Sequence, residues 1–101
     1  MKTLHISVTD KIATYQKRDG AIVCGNSDYQ IEFTFDSEWE EHTTKTARFI
    51  TEGKREDVTF TGTICKVPTL TNTEYCIVGV YVNETLTSTP TRIPCRLSVL
   101  C

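Results

Sequence analysis

The chain has 101 residues and a net charge of −2, which limit the number of domains and the kinds of partner that it can have. A length of this order is typical of one domain, so we expect residues 1–101 to form a single domain. The slight excess of acidic residues argues against nucleic acid as a partner, because binding to phosphates requires surplus cations. No stretch approaches the ~20 apolar residues that cross a bilayer, so no membrane partner is expected.

β-branched residues dominate the composition. The 18 threonines, eight valines and eight isoleucines make up a third of the chain. Branching at Cβ restricts χ1 and favours extended strands over helices. Leucine, alanine and methionine, which form helices readily, together contribute fewer than ten residues. The composition therefore predicts an all-β protein.

Short alternating segments fill the first third of the chain. The first has its apolar positions at Leu4, Ile6 and Val8. Asp19 and Gly20 then form the strongest hairpin signal, because glycine adopts a positive φ without a Cβ clash. The clearest alternation follows, with its apolar positions at Tyr29, Ile31, Phe33 and Phe35. Both alternations predict strands with one buried face.

Residues 36–42 interrupt the strand pattern. Asp36 or Ser37 can cap a short helix of one or two turns. The glutamates that follow interact favourably with the positive N-terminal end of the helix dipole. We expect Trp39 to fold back over the core as a lid. The candidate partner interface in this segment consists of Glu38, Trp39, Glu40, Glu41 and His42. The alternatives for this cluster are a charged cap around the tryptophan and a weak site for a hard cation.

The remaining strand signals complete the prediction of the fold. Glu52 and Gly53 begin a hairpin tip, and Pro68 places its segment at a sheet edge. The apolar residues 75–82 predict a central strand buried on both faces. The threonine-rich residues 84–92 are either an edge for docking or a solvated edge protected by Pro90. In the last strand, Cys95, Leu97, Val99 and Cys101 alternate with Arg96, Ser98 and Leu100, and exposure is the alternative for Cys101. The sequence thus predicts a single-domain antiparallel β-sandwich of eight or nine short strands, with one short helical turn near residues 36–42.

The chain lacks the residue patterns of a reaction centre. Its five cysteines are an odd number without a C-x-x-C pair, so we expect reduced and mostly buried thiols. Nucleophile elbows, phosphate loops and dinucleotide fingerprints are missing. His5 lies at an outward strand position, which favours a solvated or partner-facing imidazole. We therefore expect neither catalysis, nor a cofactor, nor a metal site. The N-terminus has no signal-peptide pattern.

Six short motifs follow one another along nearly the whole chain: Gly25-Asn26-Ser27-Asp28-Tyr29, Ile31-x-Phe33-x-Phe35-Asp36-x-Glu38-Trp39, Lys45-Thr46-Ala47-Arg48-Phe49, Cys65-x-Val67-Pro68, Val78-Gly79-Val80-Tyr81 and Thr87-x-Thr89-Pro90-x-x-Ile93-Pro94-Cys95. In this order they resemble the N-terminal domain of baseplate upper proteins from tailed phages and prophages of Gram-positive bacteria. Asn83 stands where that family is expected to have glycine, and asparagine tolerates the same turn.

The resemblance implies a β-sandwich that assembles into a phage tail or baseplate without catalysis. Its expected partners are other phage structural proteins or copies of the chain itself, as a homo-oligomer, with a host surface glycan as a further partner. Its expected location is the virion, assembled in the host cytoplasm. The alternatives are a phage-encoded inhibitor of a host defence protein, which predicts an acidic face, and a carbohydrate-binding module, which predicts a row of exposed aromatic residues.

Overall fold

The computed structural model describes residues 1–99, most of which lie in extended strands. The ten strands are Lys2–Thr9 (β1), Ile12–Tyr15 (β2), Ile22–Val23 (β3), Tyr29–Phe35 (β4), Thr44–Thr51 (β5), Lys54–Thr61 (β6), Ile64–Lys66 (β7), Tyr75–Val82 (β8), Leu86–Thr87 (β9) and Thr91–Arg96 (β10). The helical elements of this part of the chain are two 3₁₀ turns, Lys17–Asp19 and Ser37–Trp39. The expected all-β class and the short turn near residues 36–42 are confirmed.

The strands form two mixed sheets. The four-stranded sheet has the order β2-β1-β4-β7, and the six-stranded sheet has the order β3-β10-β8-β5-β6, with β9 beside β8. β1 pairs with β4 in parallel, as does β3 with β10, while the other pairs are antiparallel. The prediction of a simply antiparallel sandwich of eight or nine strands is therefore wrong in strand count and in direction.

Parallel pairs arise because the chain changes sheets between strands. Gly20 has the positive φ expected of it, 86°, but it ends the first 3₁₀ turn instead of closing a hairpin. The chain then enters β3 in the six-stranded sheet. It returns to the first sheet as β4, which runs beside β1 in the same direction. Parallel strands need such a crossover, and β2 and β3 lie within this one.

Inward-facing side chains of both sheets join in one hydrophobic core. Phe33 stacks on Phe35 and on Phe60, and Phe35 stacks on Trp39, each pair with ring centroids 5.3 Å apart. Trp39 is completely buried, so its predicted position as a lid is confirmed. The second 3₁₀ turn brings the indole back onto the aromatic residues that end β4.

Two predictions about the C-terminal third are corrected. β8 is central, between β10 and β5, but only its alternate residues are buried, and Ile77, Gly79 and Tyr81 are half-exposed on the outer face. β10 ends at Arg96, so the predicted last strand does not continue through Leu97 and Val99, which are exposed. The prediction for Cys101 lies outside the described residues. The four described cysteines are unpaired and buried, as expected.

Candidate partner interface

The acidic segment at residues 36–42 is held against the turn between β1 and β2. That turn has positive φ at two residues, 53° at Asp10 and 65° at Lys11. The Asp10 amide donates a hydrogen bond to Asp36 Oδ2 at 2.7 Å. Lys11 Nζ lies 2.6 Å from Glu38 Oε1, and this carboxylate raises the pKa of Lys11. Glu38, a member of the predicted interface, therefore stabilises the turn between β1 and β2 of the same chain.

The predicted interface residues separate by exposure. The indole of Trp39 is buried and offers no surface to a partner, so its inclusion in an interface is corrected. Glu38, Glu40 and Glu41 are exposed, and His42 is half-buried. We call Glu38, Glu40 and Glu41 the acidic corner. Within residues 1–99, no group of His, Cys, Asp or Glu side chains is arranged to hold a metal ion.

A second surface, which the sequence analysis missed, lies on the outer face of the six-stranded sheet. Strand alternation puts the outward residues of β5, β6, β8 and β10 side by side on this face. We call this surface the Arg–Tyr face, and the large apolar, aromatic and basic residues that define it are Arg48, Ile50, Arg55, Tyr75, Ile77, Tyr81 and Arg92. Tyrosine and arginine are, with tryptophan, the residues most enriched at the energetically dominant positions of protein interfaces.

One end of the Arg–Tyr face is a hydrogen-bonded network. The Arg48 guanidinium donates to both carboxylate oxygens of Asp57, at 2.9 and 3.0 Å. The Tyr81 hydroxyl donates to the same carboxylate at 2.9 Å, and Arg48 lies 5.1 Å from the centre of the Tyr81 ring. The hydrogen bond from Arg48 is the largest factor that lowers the pKa of Asp57. The network therefore fixes its side chains in place with the Asp57 charge neutralised.

The other end of the face is apolar with unpaired positive charge. Ile50 pairs across strands with Ile77 and with Arg55, and Ile77 pairs with Arg92. The Arg92 guanidinium lies 4.4 Å from the centre of the exposed Tyr75 ring. Among the described ion pairs, none involves Arg55 or Arg92. This end combines apolar surface with two exposed arginines, of which Arg55 lowers the pKa of the neighbouring Asp57 and Arg92 stacks on Tyr75.

No protein-family model, curated protein or solved structure matches the chain. In the part of the chain that the structure describes, no helix is long and apolar enough to cross a bilayer.

His5 offers the nearest approach to catalytic geometry. Its Nδ1 lies 3.0 Å from Asp19 Oδ2, and its backbone amide donates to the same oxygen at 2.8 Å. Ser7 and Thr34 line the shallow depression beside this pair. Within residues 1–99, neither hydroxyl forms a hydrogen bond with the imidazole, so the arrangement lacks the nucleophile–base contact of a hydrolase triad. The carboxylate orients the imidazole on an otherwise solvated face.

Proposed function

We propose that this chain is a non-enzymatic structural domain of a phage virion, part of a tail or baseplate, that assembles through protein contacts. Its two sheets would serve as a β-sandwich scaffold that presents the Arg–Tyr face. The motifs that resemble baseplate proteins support the virion assignment. The observation that carries the binding role is the exposed combination of Ile50, Tyr75, Arg55 and Arg92 on one rigid sheet face. The virion, assembled in the host cytoplasm, is the proposed location.

The partner that the charges favour is a second copy of the chain. The acidic corner immediately precedes β5, whereas the apolar end of the Arg–Tyr face includes Ile50 near the end of that strand. Thr44 and Ile50 are six residues apart, which corresponds to about 20 Å along a strand. Opposite charges at two ends of one molecule favour head-to-tail contacts, which repeat into rings or stacks. Repetition also multiplies a weak individual contact, as a virion assembly requires.

Light scattering with charge-reversed variants tests this contact. We expect the mass of the wild-type chain to rise with protein concentration and to fall with added salt. The double variant Arg55→Glu/Arg92→Glu should remain a monomer. The matched control, Lys17→Glu/Arg18→Glu, reverses two exposed cations on the first 3₁₀ turn and should assemble as the wild type does.

Restored pairing is the decisive arm of this experiment. A Glu40→Arg/Glu41→Arg chain should not assemble alone, because both of its surfaces are then positive. Mixed with the Arg55→Glu/Arg92→Glu chain, it should form alternating assemblies. If all variants and the wild type have the same mass at every concentration, self-assembly through these surfaces is wrong.

The virion assignment is tested by mass spectrometry of purified particles. We expect the chain in particles at a stoichiometry fixed by symmetry. One specific observation, the exposed acidic corner, keeps an inhibitor of a host defence protein as the second candidate. A monomer that is absent from particles and that captures one host protein through Glu40 and Glu41 would replace the first proposal with the second. The carbohydrate-binding alternative loses support, because Tyr15 and Tyr29 are buried and the other two tyrosines lie near opposite ends of β8.

A further inference from the structure

A depression of about 380 Å³ lies between the second 3₁₀ turn and the adjoining ends of β5 and β6. It is separate from the Arg–Tyr face, and the proposed assembly does not use its interior. Its walls combine two aromatic side chains with a buried lysine and three threonines. The lining residues are Phe35, Trp39, Glu40, His42, Thr43, Lys45, Thr61, Gly62 and Thr63.

Lys45 is an unusual lining residue, because only 5% of its surface is exposed. It occupies an inward position of β5, in phase with the buried Ala47 and Phe49. Its ammonium donates to the backbone carbonyl of His42 and lies 4.6 Å from the centre of the Phe35 ring. An ammonium carries three donors, and no ion pair among the described residues involves Lys45. Burial lowers the pKa of Lys45.

Trp39 adds a donor that, unlike the Lys45 ammonium, has no hydrogen-bond partner among the described residues. The indole Nε1 is buried and forms no hydrogen bond within the described chain. Its ring stacks on Phe35, so an aromatic surface and an unused N–H occur in the same side chain. Buried donors are almost always paired, and each exception calls for an explanation such as a missing ligand. Lys45 and Trp39 both line the depression, so an anion that enters it would supply an acceptor for the ammonium and, once the aromatic cluster opens, for the buried indole N–H.

We propose that this depression binds a small organic monocarboxylate with an aromatic or apolar body. The carboxylate accepts a hydrogen bond from the Lys45 ammonium and, as the aromatic cluster opens to admit the ligand, one from the Trp39 indole, which is completely buried in the unliganded chain, and the body packs on the Phe35 ring. Charge-assisted hydrogen bonds of this kind are about twice as strong as neutral ones. The exposed Glu40 carboxylate also lines the depression, and it disfavours ligands that carry two negative charges. The depression shares Glu40 with the acidic corner, but binding at Lys45 does not require the proposed assembly and would persist if that proposal failed.

The chain has a single tryptophan, so its fluorescence reports directly on the site. Phenylacetate is titrated at a protein concentration where light scattering reports a monomer. The indole emission should change saturably, and the indole N–H resonance should shift downfield as it gains an acceptor. Two probes of the same shape serve as controls, neutral phenylacetamide and cationic 2-phenylethylammonium. We expect phenylacetamide to bind at least tenfold more weakly and the cation not to bind.

Removal of the ammonium tests the role of Lys45. Lys45→Met keeps the length and the apolar stem of the side chain, and it should weaken phenylacetate binding at least tenfold. Lys66→Met is the matched control, because Lys66 also donates to a backbone carbonyl, that of Ser27, but is exposed at the other sheet. This control should bind as the wild type does. The proposal is overturned if phenylacetate leaves the Trp39 signals unchanged at tens of millimolar, if the three probes bind equally, or if Lys45→Met binds phenylacetate unchanged.

Discussion

At the scale of single residues, Lys45 departs most from what the fold requires. Lysine is almost never buried without a partner, because removal of its charge from water is costly. Its alternation with Ala47 and Phe49 was a signal in the sequence that it points inward. The sequence did not reveal that no carboxylate would meet it, because the neighbouring acids, Glu40 and Glu41, point into solvent.

The burial of Lys45 predicts a particular dependence of stability on pH. Burial lowers the pKa of Lys45 in the folded state below the usual 10.5 of lysine, so between the folded-state pKa and pH 10.5 the unfolded chain binds more protons. The free energy of unfolding therefore rises with pH across that interval through this residue. Lys45→Met should be more stable than the wild type at pH 7, by about 1 kcal/mol, and this advantage should shrink as the pH approaches 10.5.

Urea denaturation of both chains between pH 7 and 10 measures this difference. Subtraction of the two stability curves removes the titration of the other lysines and tyrosines. Lys66→Met, which removes an exposed charge, should show no such trend. A variant at Lys45 that is destabilised by the same amount at every pH would contradict the argument.

At the scale of elements, the threonine-rich residues 84–92 cover the free edge of β2. β2 is the edge strand of the four-stranded sheet, and β9 and β10 do not pair with it because both pair with β8 in the other sheet. Two threonine hydroxyls accept the hydrogen bonds that a neighbouring strand would otherwise accept from the β2 amides. The Ala13 amide donates to Thr89 Oγ1 and the Tyr15 amide donates to Thr91 Oγ1, both at 3.1 Å. The hydroxyls of Thr89 and Thr91 therefore serve the fold, and docking through the rest of the segment stays a prediction.

Loss of these hydroxyls should destabilise the chain. Thr89→Val and Thr91→Val keep the shape of the side chain but leave a partly buried amide without an acceptor, at a cost of about 1–3 kcal/mol each. Thr87→Val is the matched control, since that hydroxyl bonds only the exposed carbonyl of Ser88, and it should cost less than about 0.5 kcal/mol. Chemical denaturation gives the stability, and hydrogen exchange at the Ala13 and Tyr15 amides should accelerate selectively. Equal costs in all three variants would refute the capping role.

The elements that the sequence predicted correctly are those with a local cause. The alternation in β4 reflects burial of one face, the Gly53 φ of 72° closes the β5–β6 hairpin, and Pro68 follows an edge strand. The apolar alternation continues in the sequence through Leu97 and Val99, although β10 has already ended at Arg96. The strand ends there because the Arg96 carbonyl and the Ser98 amide form hydrogen bonds with loop residues and not with a neighbouring strand. Alternation states which face a strand buries, but it does not state where pairing stops.

The candidate site was predicted only in part, for a related reason. The acidic corner was found because its charges are consecutive in sequence. The Arg–Tyr face was missed because its members come from four strands that only the sheet order brings together. A signal existed in the outward positions Arg48 and Ile50 and in Tyr75 and Ile77. Without the register of β5 against β8, these residues remained separate observations.

At the scale of the whole molecule, the two parallel pairings determine the order in which the fold can close. β3 and β10 pair through Ile22 and Cys95, which lie near opposite ends of the chain. The β5–β6 hairpin, by contrast, closes through the two residues between Thr51 and Lys54. Loop-closure entropy must be overcome before a distant pairing contributes any stability. The β3–β10 contact should therefore form after the hairpin.

Folding kinetics followed by Trp39 fluorescence can separate these stages. We expect folding on the millisecond-to-second scale that is typical of β proteins with distant pairings. Ile22→Ala, in β3, should accelerate unfolding and leave the folding rate nearly unchanged, because its contacts are absent from the transition state. Val58→Ala, in β6, removes a partly buried residue of the hairpin and should slow folding. A folding rate that responds more to Ile22→Ala than to Val58→Ala would mean that closure between the chain ends nucleates the fold, which would make the hairpin a late addition.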